Sequence, residues 1–422
     1  MRSRTIIITL MFFLPFFPAG KANALTLHGF MEGAYGTRFE DDLTKKDHYT
    51  LGEGRFQIKG SYVPSFLDNW DGEFSFKGDI YYDGYEETTY GDARVAVLSI
   101  TPHDMIDLKL GRQILTWGTG DLVFINDLFP KDYISFFTGR DDEYLKLPSD
   151  AIRGSLFLDM FNVDLVLIPD FEPNNNIKGD RLSYYHGLEG RIVGDDVEND
   201  YKEPENKSKN REATLRLYKN IKGMEAALYL FDGFYKDPLG VLKPTPTYQF
   251  YYPELTVYGL SLRDAVFGGI GNVEAGYYYS REDKDGDNPM VENSCFKALA
   301  GYSKDMGRDF RIGIQYQLEK MLHYDEYEKN LPAGSVKADE NRHLWTLRLT
   351  KLAMNQNLTL SLFSFYSPSD KDYHLRPQVS YKFTDNLSTT LGGNVFKGED
   401  DHTFFGQLDR NDNAYIRVRY GF

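Results

Sequence analysis

Alternation of apolar and polar residues, repeated along nearly the whole chain, constrains this sequence more than any other feature. The run 413–422 (NAYIRVRYGF) puts Ile416, Val418, Tyr420 and Phe422 on one side and Tyr415, Arg417, Arg419 and Gly421 on the other. Successive side chains of a β-strand face opposite sides, so this run has one apolar and one largely polar face. The run 52–62 sets Phe56, Ile58 and Tyr62 against Arg55, Gln57, Lys59 and Ser61. The run 72–82 sets Phe74, Phe76, Ile80 and Tyr82 against Glu73, Ser75, Lys77 and Asp79. No long stretch carries the 3.6-residue period of an amphipathic helix.

Counting such runs predicts about eighteen strands, with boundaries good to a few residues. They fall near 27–39, 50–62, 70–82, 91–101, 104–113, 150–160, 162–169, 211–221, 223–235, 253–265, 271–281, 294–304, 308–319, 342–352, 356–367, 372–383, 386–396 and 412–422. Segments 91–113 and 253–265 alternate less cleanly, which leaves sixteen strands as the alternative. The links mostly alternate between tight ones, such as Pro102-His103-Asp104 and Asp385-Asn386, and long polar ones, such as 114–149, 170–210 and 320–341. An antiparallel meander of this kind gathers its short turns at one end. Short periplasmic turns and long extracellular loops are the plan of an outer-membrane barrel, and closure satisfies the backbone groups that lipid cannot.

Composition agrees where it bears on the choice. Mean hydropathy is −0.48, and the long apolar run is confined to the N-terminus, which excludes a bundle of membrane helices. That run follows Arg2 and Arg4 and precedes Ala22-Asn23-Ala24, the pattern of a cleaved signal peptide over 1–24. Its removal takes three basic residues and leaves a net charge of −18, against nucleic acid as a partner. The single Cys295 excludes a disulfide framework or a cysteine-cluster metal site. Tyr81-Tyr82, Tyr184-Tyr185, Tyr251-Tyr252 and Tyr277-Tyr278-Tyr279 resemble the aromatic girdles of lipid–water interfaces.

The terminal Ile416, Val418, Tyr420 and Phe422 resemble the insertion signal of Gram-negative outer-membrane porins. The stretch 108–118 carries Gly111, Arg112, Gln113, Trp117 and Gly118 and precedes Asn126-Asp127-Leu128-Phe129-Pro130. It resembles a poorly characterised porin-like group with a Gly-Arg-Gln-x-x-x-Trp-Gly segment before an Asn/Asp-Pro-rich loop. Alginate-export barrels are similar in architecture. The motif covers about 30 residues; elsewhere the resemblance is one of pattern. It implies an all-β transmembrane barrel in the outer membrane, with lipid, lipopolysaccharide and the barrel-assembly machinery as partners.

Segment 114–149 is too long and too aromatic for a plain connection. The expectation is a loop folded into the lumen, with Arg112, Asp121, Asn126, Asp127, Lys131, Asp132 and Arg140 at a constriction. An external loop packed on its neighbours is the competing reading. Alternation places Arg55, Lys59, Arg153, Arg216, Arg311, Arg348, Arg376, Arg417 and Arg419 on the inner wall. Such a wall favours anions, unless interior carboxylates cancel it. Asp283-Lys284-Asp285-Gly286-Asp287-Asn288 resembles half a calcium loop, but the glycine comes one place early and position twelve is Ser294, so no metal is assigned. The eight histidines have no ligand spacing, and no nucleophile elbow appears. The expectation is therefore a non-enzymatic channel for small hydrophilic, anionic solutes with no cofactor. The alternatives are a barrel that sheaths a periplasmic partner as an electron conduit, a surface adhesin and, last, an outer-membrane hydrolase.

Overall fold

The computed structural model describes residues 26–44, 48–207, 210–243 and 248–422. The predicted signal peptide, 1–24, lies outside the described residues. Eighteen strands form one sheet. In chain order they are β1 (Thr26–Arg38), β2 (Tyr49–Tyr62), β3 (Glu73–Asp83), β4 (Thr88–His103), β5 (Ile106–Ile114), β6 (Pro148–Phe157), β7 (Asn162–Ile168), β8 (Glu212–Ile221) and β9 (Met224–Phe234). The second half comprises β10 (Glu254–Val266), β11 (Gly269–Ser280), β12 (Cys295–Asp305), β13 (Phe310–Met321), β14 (Asn341–Ala353), β15 (Leu358–Ser367), β16 (Asp372–Lys382), β17 (Leu387–Gly398) and β18 (Asn413–Gly421).

Each strand pairs antiparallel with its chain neighbour, and β1 pairs with β18 from Phe30↔Gly421 to Arg38↔Asn413. The sheet is thus a closed barrel with no free edge, which removes the row of unpaired backbone groups an open sheet would expose. Among the described residues no helix is long and apolar enough to cross a membrane. The eighteen predicted strands are all present, each within a few residues of its expected span.

Links at one end are short: 104–105, 158–161, 222–223, 267–268, 306–309, 354–357 and 383–386. The link 63–72 at that end is longer and holds the 3₁₀ turn Ser65–Trp70. The opposite end carries 39–48, 115–147, 169–211, 235–253, 281–294, 322–340 and 399–412, with 84–87 and 368–371 as two tight exceptions. Tyr184 and Tyr185, read from sequence as girdle residues, belong instead to a small hairpin within 169–211.

Alternation sorts the side chains as the sequence implies. Met31, Tyr258, Leu391, Ile416 and Val418 point away from the lumen and are exposed, as a lipid-facing wall requires. One break has a local cause. In β4 the register slips between Gly78↔Ala93 and Lys77↔Val95, leaving Arg94 as an extra, bulged residue. The bulge turns Arg94 inward, where it is buried. A second break lies in β10. Leu255 and Val257 face inward although they are apolar, because an interior hydrophobic cluster covers them. That cluster joins Ile125, Ile134, Phe136 and Phe137 of 115–147 to Phe231, Leu299, Leu344, Phe363, Phe365 and Phe396 of the wall.

Candidate functional site

Segment 115–147 leaves β5 and returns to β6, yet it binds strands all round the barrel. Its local shape comes from two caps. Asp132 accepts hydrogen bonds from Ser135 N at 2.8 Å and Ser135 Oγ at 2.7 Å, starting the short helix Tyr133–Thr138. Gly139 ends it at φ 87°, a left-handed conformation that glycine adopts without a Cβ penalty. The helix presents Phe136 and Phe137 to His374 on β16, with ring centroids 5.9 and 5.6 Å away. Asn394 of β17 and Asn413 of β18 each donate to the Phe137 carbonyl at 3.0 Å.

The first half of the segment is held by one carboxylate. Glu274 of β11 is buried and accepts from the backbone N–H groups of Thr119, Gly120 and Asn126 and from Asn126 Nδ2. Tyr278 adds a hydrogen bond to the Ile125 carbonyl. Such bonds, made in a dry interior, fix the chain path because a lost acceptor would strand several donors at once.

Charge holds both halves. Asp121, in the first half, meets Arg348 of β14, and Asp142, in the second, meets Arg376 of β16 at 2.8 Å. Asp141 lies 2.9 Å from Arg417 and 3.4 Å from Arg419, both on β18. Glu143 lies 2.6 Å from Lys77 of β3. Arg140 binds Glu53 of β2 and Asp83 of β3. Arg94, from its bulge, donates to the carbonyls of Glu143 at 2.9 Å and Lys146 at 2.8 Å. Burial tends to raise the Asp141 carboxyl, but Arg417 and Arg419 outweigh it and hold the group below the usual carboxylate range.

The residues singled out in sequence therefore separate into groups. Asp121 and Arg140 join the wall directly. Asn126 and Asp132 brace the segment through Glu274 and the helix cap. Asp127 and Lys131 pair with each other at 3.0 Å in a buried position, with Lys146 also on Asp127. Arg112 stands apart, between Glu172 at 3.0 Å and Asp150 at 3.3 Å. Asp141, Asp142 and Glu143 escaped the sequence reading. Their signal was available in three consecutive acids after Gly139-Arg140, complementary to Arg417 and Arg419.

The inner arginines are mostly neutralised. Arg55 binds Glu53 and Asp79, Arg153 binds Asp164, and Arg419 binds Glu32. Arg311 sits near the short-turn end with Asp305. Arg216 stacks on Tyr218, with 4.4 Å from Cζ to the ring centroid. Lys59 shares the inner face of Arg55 and Gln57 and is exposed. The wall is thus a set of ion pairs whose acidic members come partly from the strands and partly from 115–147. Within 115–147 the most water-accessible acidic partners are Asp142, 52% exposed, and Asp121, 46% exposed.

No protein-family model and no curated protein sequence matches the chain. Solved structures do. Acinetobacter baumannii OccAB3 is similar over 94% of this chain and 99% of its own, at 10% identity and a TM-score of 0.57. Pseudomonas aeruginosa OccK2 (OpdF), solved in complex with glucuronate, is similar over 94% and 98%, at 9% identity and 0.57. Pseudomonas aeruginosa OpdQ is similar over 95% and 98%, at 12% identity and 0.56. At such identities the likeness is one of fold. A closed barrel of eighteen antiparallel strands with short turns gathered at one end is thus a fold shared with Gram-negative outer-membrane porins.

Proposed function

We propose that the protein is an outer-membrane channel through which small hydrophilic solutes, anionic ones among them, diffuse. One observation carries this reading: the barrel is closed, and carboxylates of 115–147 pair with arginines of β14, β16 and β18. Apolar groups and buried ion pairs fasten the segment, while Asp121 and Asp142 face water. That division suits a narrow aqueous path, in which fixed charges replace hydration lost by the passing solute. Asp121, Asp142, Arg348 and Arg419, the more accessible members of these pairs, border the path, with Arg140, Arg376 and Arg417 buried behind them. Because the arginines are paired, the bias toward anions is weak. The glucuronate bound in the OccK2 structure supports an anionic solute by analogy of fold. The space taken by 115–147 favours passage of solutes over enclosure of a folded periplasmic partner. Ile416, Val418, Tyr420 and Phe422 serve as the insertion signal, with a cleaved leader at 1–24.

Single-channel current across a planar bilayer under a KCl gradient tests the proposal. The expected result is discrete steps with a reversal potential slightly on the chloride side. Arg417→Glu with Arg419→Glu moves it toward potassium. Folded barrel that gives no steps overturns the channel reading, and steps on the potassium side overturn the anion bias alone.

A further inference from the structure

A cavity of about 180 Å³ lies between residues 124–133, residues 235–239, Glu292, and strands β12 and β13. Its charges do not balance. Lys131 is matched by Asp127 at 3.0 Å, Lys297 by Glu319 at 2.9 Å, and Lys236 by Glu212 at 2.5 Å. Two lining carboxylates remain, Asp237 and Glu292. Asp237 accepts from Asn174 Nδ2 at 2.6 Å and meets no cation within ion-pair distance among the described residues. Glu292 has neither a hydrogen bond nor an ion pair among them.

A second observation points into the same space. Tyr235 lines the cavity and is only 8% exposed, and its hydroxyl has no hydrogen-bond partner. Buried polar atoms are almost always paired, and an unpaired one costs free energy that a ligand can recover. The aromatic wall already suits ammonium groups of the chain itself. Lys131 Nζ lies 4.6 Å from the Phe124 ring centroid, and Lys297 Nζ lies 4.8 Å from that of Tyr278.

We propose that this cavity binds a compact organic cation, a primary ammonium group or one of similar size, between Glu292, Asp237 and the aromatic wall, with the Tyr235 hydroxyl hydrogen-bonding a polar atom of the same molecule. The proposal rests on the reading that solutes enter the lumen. It identifies a class of solute that the paired arginines of the wall do not select. Burial, with the Glu319 and Asp237 carboxylates beside it, pushes the Glu292 carboxyl up to about 7, the condition that a bound cation would reverse.

Calorimetric titration of the full chain in detergent micelles tests this, with n-butylammonium as probe and butyrate as its charge-reversed control. Butylammonium binds the wild type and butyrate does not. Glu292→Gln weakens butylammonium roughly tenfold or more, and Tyr235→Phe weakens a hydroxyl-bearing amine such as 4-aminobutanol several-fold. Circular dichroism confirms that both variants keep the barrel. Butyrate binding as tightly as butylammonium, no binding of either, or unchanged affinity in Glu292→Gln each overturns the proposal. Binding in micelles needs no conduction. Protein that binds butylammonium but passes no current keeps this inference and loses the channel; protein that conducts without binding does the reverse.

Discussion

Asp121 and Arg348 stand 227 residues apart in the chain and meet in a two-pronged ion pair, with Nε to Oδ2 at 2.5 Å and Nη2 to Oδ1 at 2.8 Å. The pair ties the early part of 115–147 to β14, and Gln315 of β13 bonds the Asp121 backbone on both sides. Both side chains are partly exposed, so the pair contributes on the order of 1 kcal/mol or less to stability. Its effect is on the path. Arg348→Glu sets two carboxylates against each other, and the expected outcome is a larger conductance with a reversal potential shifted toward potassium, read in planar bilayers. An unchanged current would place the solute path elsewhere.

Arg140 is a hub for Glu53 and Asp83, both buried. Removing one partner of a buried ion pair leaves the rest uncompensated, at about 3–5 kcal/mol. Arg55 and Arg181 also reach these acids, which softens the loss. Arg140→Ala is expected to lower the unfolding free energy in detergent by about 3 kcal/mol, near the lower end of that range. Arg140→Lys should restore only part, because a lysine cannot bridge two acids with a planar fork.

Glu274 gathers three backbone donors and one side-chain amide from 115–147. Glu274→Ala strands them in a dry site, at about 1–3 kcal/mol for the group left unsatisfied. The segment then loses its hold on β11. The measurable result is noisy current with frequent excursions to higher conductance, against quiet steps in the wild type.

Gly139 touches Tyr415 of β18. A Cβ at Gly139 would lie 2.1 Å from the Tyr415 ring, and the residue also holds φ 87°. Gly139→Ala therefore carries a steric clash and a left-handed backbone cost of roughly 1–2 kcal/mol. Adding Tyr415→Ala removes the clash but not the backbone cost. A double-mutant cycle on thermal stability should show positive coupling between the two; simple additivity would mean the helix end lies away from β18.

Glu292 makes stability depend on pH with a definite sign. Its folded-state pKa of about 7 lies above the ordinary 4.5, so the folded protein holds this proton more tightly than the unfolded chain. The destabilising contribution is absent below about pH 4.5, grows as pH rises, and is complete above about 7, at on the order of 1–3 kcal/mol. Glu292→Gln should raise the unfolding midpoint at pH 8 and leave it nearly unchanged at pH 4.5. An equal effect at both would mean that the carboxyl titrates normally.

Much of this barrel was legible in the residue order, and the illegible parts have physical causes. Strands such as β2 and β18 read cleanly because each has lipid on one side and polar lumen on the other. β4 reads poorly because Arg94 is an inserted residue and shifts the phase of alternation at that point. β10 reads poorly because Leu255 and Val257 are inward yet apolar, covered by 115–147. The candidate site was legible only in outline. Asp121 and Arg140 stood out as charges in an aromatic loop, whereas the buried pairing of Asp127 with Lys131 left no mark in composition.

By itself the sequence determined the strand count to within about two, the alternation of inward and outward faces, and the segregation of short and long links. All of these follow from local periodicity, which a strand imposes on its own neighbours within a few residues. Only the tertiary structure decided where 115–147 goes and which carboxylate meets which arginine. Those pairings join Asp121 to Arg348, Asp142 to Arg376 and Asp141 to Arg417 across more than 200 residues of chain. A charge constrains its partner through distance in space, and closure of the barrel is what brings these residues within that distance.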